Sequence, residues 1–301
     1  MSESPESSFR TLEAAPIVAT PSQGNLQFVT VKSNALAGRG DITIYSPSPS
    51  IVSEPLPVII LLHGVYGSHW SWAMQGQAHV TLQSMIDDGT IPPMILAMPS
   101  DGLWGDGSGY CNHSEKKFEQ WIVDDVPKAV SEVTGNTLDA PHFISGLSMG
   151  GYGAMRLGAK HAGRFSAFTG HSSITNLAQM SEFVEEDLES YITDNNSEQS
   201  VLETILKNRS TLPPFRFDCG KDDPLIEHNR TLAKELKNQG IDFDYEEPPG
   251  GWLCRSTLLW RYEAWRAWAD RSLWYSSGGR DSRKHSCKKL GHWTTQSSIL
   301  L

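Results

Sequence analysis

Short, unbroken apolar runs alternate along this chain with longer stretches whose apolar residues recur at helical spacing. The run Pro57-Val58-Ile59-Ile60-Leu61-Leu62 is β-branched and continuous, as expected of a strand buried on both faces of a parallel sheet. Met94–Met98, His142–Ser145, Phe165–Thr169, Phe215–Cys219 and Asp242–Glu246 read as further strands, and Asn25–Val31 with Asp41–Tyr45 as an antiparallel edge hairpin. Between them Glu115–Val133, Ser148–His161 and Pro224–Gln239 read as helices. This alternation predicts an α/β fold, a mostly parallel, doubly wound sheet with an antiparallel N-terminal edge.

Chemistry enters at Gly146-Leu147-Ser148-Met149-Gly150, set between the strand-like His142-Phe143-Ile144 and a Gly/Ala-rich helical run. A serine hydroxyl needs a base to take its proton, and it must protrude to reach an acyl carbon. A sharp strand-to-helix turn achieves this when the residues two positions either side are small, which Gly146 and Gly150 are. The following helix points its first amides and dipole at the place where an oxyanion would form, and Met149 N–H is the natural first donor. The loop His63-Gly64-Val65-Tyr66-Gly67 leaves the buried strand at the same sheet edge, so Val65 N–H is the natural second donor. His63 reads as a structural histidine under that loop. Trp70 and Trp72 could wall an acyl pocket, although core packing is the commoner fate of a tryptophan.

A carboxylate on the loop Lys221-Asp222-Asp223-Pro224-Leu225 follows Ser148 in the chain order that a Ser, Asp, His triad of this kind requires. Asp223 is the choice over its competitor Asp222, and a helix N-cap is the alternative reading for both. Asp101, Trp104, Asp106 and Tyr110 either line a polar acyl or sugar pocket or belong to a Gly-rich structural loop. Residues 172–213, with Glu182, Glu185, Glu186 and Asp187, read as a helical insertion over the active site whose acidic run is a solvated face.

From about residue 25 to 251 the chain resembles the esterase D-like branch of the α/β-hydrolases, which includes S-formylglutathione hydrolases, tributyrin-type esterases and mycolyltransferase-like proteins. The resemblance is carried, in order, by LLHGVYGSHWSW (61–72), MPSDGLWGDGSGY (98–110), WIVDDVPKAV (121–130), GLSMGGYGAMRL (146–157), CGKDDPLIEHNRTLAKEL (219–236) and YEEPPGG (245–251). It implies an α/β-hydrolase fold, a serine carboxylesterase that cleaves acyl esters or thioesters, Ser148 as nucleophile, Asp223 as triad acid, and Val65 and Met149 as the oxyanion hole. No cofactor is expected, and the spacing of the four cysteines indicates no metal site. Members typically follow the PGG turn directly with the triad histidine, whereas this chain continues Pro249-Gly250-Gly251-Trp252. His228, His285 and His292 are the histidines after Asp223. Without a base the alternative is a catalytically impaired fold that acts as a binding module, or a damaged gene product.

Composition changes at the same point. Residues 1–250 carry 16 Lys and Arg against 32 Asp and Glu, while residues 251–301 carry 9 against 3, with six of the ten tryptophans. Two readings account for this: a shifted reading frame, or a genuine extension whose Leu258, Tyr262, Trp265 and Trp268 approach helical spacing. The expected organisation is therefore a flexible leader over residues 1–24, a hydrolase domain over 25–250 and an atypical tail over 251–301. A net charge of −10 argues against nucleic acid as a partner, leaving a small-molecule ester substrate. Four cysteines without metal-ligand spacing, no apolar leader and no run long enough to cross a membrane together predict a cytoplasmic protein without a membrane partner.

Overall fold

The computed structural model describes residues 24–47, 55–113, 116–191 and 199–250, together with the backbone of 12–20. Eleven strands are found there: β1 (Leu12–Thr20), β2 (Gly24–Ser33), β3 (Gly38–Ser46), β4 (Val58–Leu62), β5 (Ile95–Pro99), β6 (Asn112–His113), β7 (Lys116–Lys117), β8 (His142–Leu147), β9 (Ala167–His171), β10 (Phe215–Asp218) and β11 (Asp244–Glu246). The helices are α1 (Ala78–Asp87), α2 (Phe118–Gln120), α3 (Val126–Thr134), α4 (Met149–Lys160), α5 (Val201–Lys207) and α6 (Ile226–Asn238).

Nine strands form one sheet in the order β1-β2-β3-β5-β4-β8-β9-β10-β11, and β6 and β7 form a separate small hairpin. The pairs β1/β2, β2/β3 and β3/β5 are antiparallel, and every pair from β5 to β11 is parallel. The expected doubly wound sheet with an antiparallel N-terminal edge is thus present. The hairpin β2/β3 is not itself the edge, because β1 pairs along β2 from within the segment whose composition suggests a flexible leader.

Cores lie on both faces. On one, Ile60, Leu62 and Ile144 pack with Val126, Ala129, Met155, Leu157 and Leu232 from α3, α4 and α6. On the other, Ile59, Leu61, Phe143 and Ala167 meet Ala78, Leu82 and Met85 of α1. All five residues of β4 are buried, which explains its unbroken apolar run.

The expected helix Glu115–Val133 begins only at Phe118, because Lys116–Lys117 pairs with Asn112–His113 as β7, and it is interrupted. A π-helical turn, Trp121–Asp125, separates α2 from α3, and Pro127, which cannot donate an amide, sits in the first turn of α3. The insertion after β9 is made mostly of short 3₁₀ turns, Leu177–Glu182 and Leu188–Tyr191, followed by α5. Leu258, Tyr262, Trp265 and Trp268, whose spacing approaches that of a helix, lie outside the described residues.

Candidate active site

The strand order reverses between β4 and β8, and at such a switch point the loops leaving the two strands part to open a crevice at the carboxyl edge. Ser148 stands there, between the last residue of β8 and the first of α4, with φ 58° and ψ −119°. A non-glycine residue adopts that conformation only when its surroundings enforce it. Two glycines make the turn possible: a Cβ on Gly146 would collide with the Gly150 backbone, and one on Gly150 with the carbonyls of Leu62 and His63. The elbow is pinned by a hydrogen bond from Ser148 N–H to the His171 carbonyl, 2.9 Å.

The loop after β4 passes directly above. A Cβ at Gly64 would lie 3.3 Å from Ser148 Cβ, so this glycine keeps the backbone close to the hydroxyl. Neither the Val65 nor the Met149 amide donates to a protein acceptor among the described residues. His63 is buried beneath them. Its Nε2 accepts the Asp101 amide at 3.0 Å, which leaves the proton on Nδ1 to be donated to the Gly64 carbonyl at 2.7 Å. The Gly64 carbonyl and Val65 N–H belong to one planar peptide and point in opposite directions, so holding the first aims the second. The structural reading of His63 therefore agrees with its contacts and gains a task.

Asp223 is buried on the loop after β10. Oδ1 accepts the Leu225 amide at 2.9 Å, and the other oxygen, Oδ2, is buried with no hydrogen-bond partner among the described residues. Asp222 caps nothing by its side chain, and its amide donates to the Gly250 carbonyl at 3.3 Å. With Cys219 N–H on the Glu246 carbonyl and Lys221 N–H on that of Pro248, this lays residues 246–250 along the loop that carries Asp223. His228 is on α6, while His285 and His292 lie outside the described residues.

Other expectations resolve by their contacts. Trp72 is core, with its indole N–H on the Leu62 carbonyl, and Trp70 is partly exposed. Asp101 and Tyr110 belong to the structural loop: Asp101 accepts the amides of Leu103 and Ser108, and the Tyr110 hydroxyl donates to the His63 carbonyl. Burial, with the nearby Asp101 charge, pushes the Tyr110 phenol well above its usual range. Asp106 and the acidic run join the insertion to that loop, since Glu186 accepts the Asp106 amide and Asp106 accepts that of Glu185. Tyr66 completes the bridge by donating to the Phe183 carbonyl. Strained backbone concentrates at this edge, with positive φ at Tyr66, Leu103, Tyr110, Ser148 and Ser172.

Sequence reading missed His171 and Asp218. The His171 ring is bonded through Nδ1 to Asp218, 2.7 Å, and through Nε2 to the Ser145 hydroxyl, 3.2 Å. Extending the β9 strand by two residues beyond Thr169 would have brought His171 level with Asp218, its register partner.

A serine on a sharp strand-to-helix turn at the carboxyl edge of such a sheet is the arrangement of an α/β-hydrolase. The family model described as "Putative esterase" matches residues 33–288. An acetyl esterase of Caldicellulosiruptor saccharolyticus is 30% identical over 220 residues, 66% of this chain and 78% of that one. An endo-1,4-beta-xylanase/feruloyl esterase of Xylanibacter ruminicola is 31% identical over 137 residues, but the match spans only 19% of its length. Among solved structures, an S-formylglutathione hydrolase from Agrobacterium tumefaciens superposes with a TM-score of 0.70 at 17% identity, over 86% of this chain and 99% of that one. The chain belongs to this esterase family and is a serine carboxylesterase-type hydrolase.

Proposed function

We propose that Ser148 is the nucleophile, that the Val65 and Met149 amides receive the oxyanion, and that Asp223 orients an imidazole supplied from residues 251–301. Ser148 Oγ attacks the acyl carbon while the imidazole takes its proton. The bond to the leaving alcohol or thiol then breaks as the imidazole returns that proton, and water releases the acyl group by the same steps. The observation that carries the reading is the enforced backbone of Ser148 under the Gly64 loop. Asp223 supports it, because one oxygen is fixed by the Leu225 amide and the other is buried without a donor. Residues 246–250 run along the Asp223 loop, with the Gly250 carbonyl on the Asp222 amide, which supports an imidazole from further along the chain.

The substrates are short acyl esters, acetyl esters first, a choice supported by the acetyl esterase relative. No described helix is long and apolar enough to cross a membrane. A cytoplasmic location is supported by Cys111 and Cys219, which are buried and in no disulfide among the described residues.

The test is p-nitrophenyl acetate hydrolysis by the wild type and by Ser148→Ala, His292→Ala, His285→Ala and Trp252→His. Loss in Ser148→Ala and in one histidine variant supports the whole reading. Activity that appears only in Trp252→His means that the tail supplies no base. A wild type and a Trp252→His variant both no faster than Ser148→Ala would refute the catalytic assignment.

A further inference from the structure

Ser145, His171 and Asp218 stand on three adjacent parallel strands, with Leu147 level with His171 and His171 level with Asp218. All three are buried, at 2%, 5% and 0% exposure, so no substrate carbonyl reaches Ser145. A neutral ring that donates from Nδ1 to Asp218 accepts the Ser145 hydroxyl at Nε2, giving a continuous Ser-His-Asp chain that ends three residues short of the nucleophile.

We propose that this chain positions the nucleophile elbow, tying it to the loop that carries the triad acid. Backbone bonds run alongside the side-chain ones: Ser148 N–H donates to the His171 carbonyl, 2.9 Å, and Ser172 N–H to the Asp218 carbonyl, 2.8 Å. The residue whose carbonyl pins Ser148 is therefore the one whose ring is clamped from both sides. Asp218 ends β10 and leads directly into the loop of Asp223, so a shift of His171 alters the spacing between nucleophile and acid. Replacing both partners of a buried hydrogen bond by apolar groups of the same shape can be nearly neutral in stability, which makes geometry the function left for this one. A misplacement of about 1 Å at such a site costs on the order of 10²-fold in rate.

This inference rests on Ser148 and Asp223 as catalytic residues, and its test separates the two ideas. The paired variant His171→Leu/Asp218→Leu removes both partners and leaves no uncompensated buried charge. His171→Asn keeps a donor for Asp218, and Ser145→Ala removes only the far contact. Three readouts are taken: kcat and KM for p-nitrophenyl acetate, the rate of Ser148 labelling by an alkyl fluorophosphonate, and amide hydrogen exchange across β8 and the elbow. The paired variant is expected to lose about 10- to 100-fold in kcat and labelling, with KM within about twofold. Its exchange should rise about tenfold at the elbow amides and stay unchanged along Phe143–Ser145. His171→Asn should recover most of the rate. Wild-type kinetics and elbow exchange in a folded paired variant would overturn the proposal. If the paired variant does not fold, Ser145→Ala decides, since unchanged elbow exchange there overturns it too. A wild type that the fluorophosphonate does not label refutes the Ser148 reading alone, because the exchange arm still tests the relay.

Discussion

His63 offers a test of how the loop proposed to hold the oxyanion is aimed. In His63→Ala two buried hydrogen bonds disappear, one to the Asp101 amide and one to the Gly64 carbonyl. At roughly 0.5–1.5 kcal/mol each, their loss lowers stability by about 2 kcal/mol. The kinetic effect is larger. With only the Gly67 amide left on the Gly64 carbonyl, at 3.2 Å, the peptide plane is held less firmly and Val65 N–H moves from the proposed oxyanion position, and full loss of one such donor costs about 10²–10³-fold in kcat. KM should stay within about threefold, because the donor acts on charge that develops only in the transition state. His63→Asn, which keeps a short donor toward the Gly64 carbonyl, should recover at least about tenfold of the loss. The assay is steady-state hydrolysis of p-nitrophenyl acetate with far-ultraviolet circular dichroism as a control for folding. A folded His63→Ala with kcat within about twofold of wild type would refute the peptide-plane argument.

Further predictions follow from contacts elsewhere. Gly150→Ala forces a methyl group into the backbone of Leu62 and His63, so it should cost at least about 2 kcal/mol in urea unfolding and abolish labelling of Ser148. Asp223→Asn should fold normally and lose about 10³- to 10⁴-fold in kcat, read in the same ester assay. Glu119 is buried, which alone would raise its pKa, but His161, Arg156 and Lys160 outweigh that and hold it down at about 2. A depressed carboxylate stabilises the fold above its unfolded pKa and loses that contribution as pH falls through the folded value. Glu119 should therefore contribute about 3 kcal/mol above pH ~4.5 that vanishes towards pH ~2. Urea unfolding of Glu119→Gln at pH 7, 4.5 and 2.5 should show a deficit that shrinks as the medium becomes acid.

What the sequence revealed follows the physics of each segment. β4 was legible to the residue because both faces are buried and every position is apolar. The elbow was legible because Gly146 and Gly150 answer a backbone clash that any side chain would create. β1 was hidden because residues 1–24 read as a leader when the Ser, Pro and Glu around Leu12–Thr20 are counted with it, whereas strand pairing uses backbone groups that composition does not report. The break at Trp121–Asp125 was hidden because one extra residue in a helical turn leaves an apolar pattern nearly intact. His171 and Asp218 lie far apart in the chain and meet only through strand register, which no local motif encodes. The polar contacts of Asp106 and Glu186 likewise needed the fold, because an acidic run reads the same whether it faces water or caps a loop.

The claim at the centre of this account is that catalysis passes through an acyl group on Ser148. Rapid-quench peptide mass spectrometry after mixing with p-nitrophenyl acetate tests it most directly. The account predicts an acetyl group on the peptide containing Ser148, formed within the first turnover and absent from Ser148→Ala. Turnover by the wild type with no acetyl group on that peptide, or with acetylation unchanged in Ser148→Ala, would contradict it.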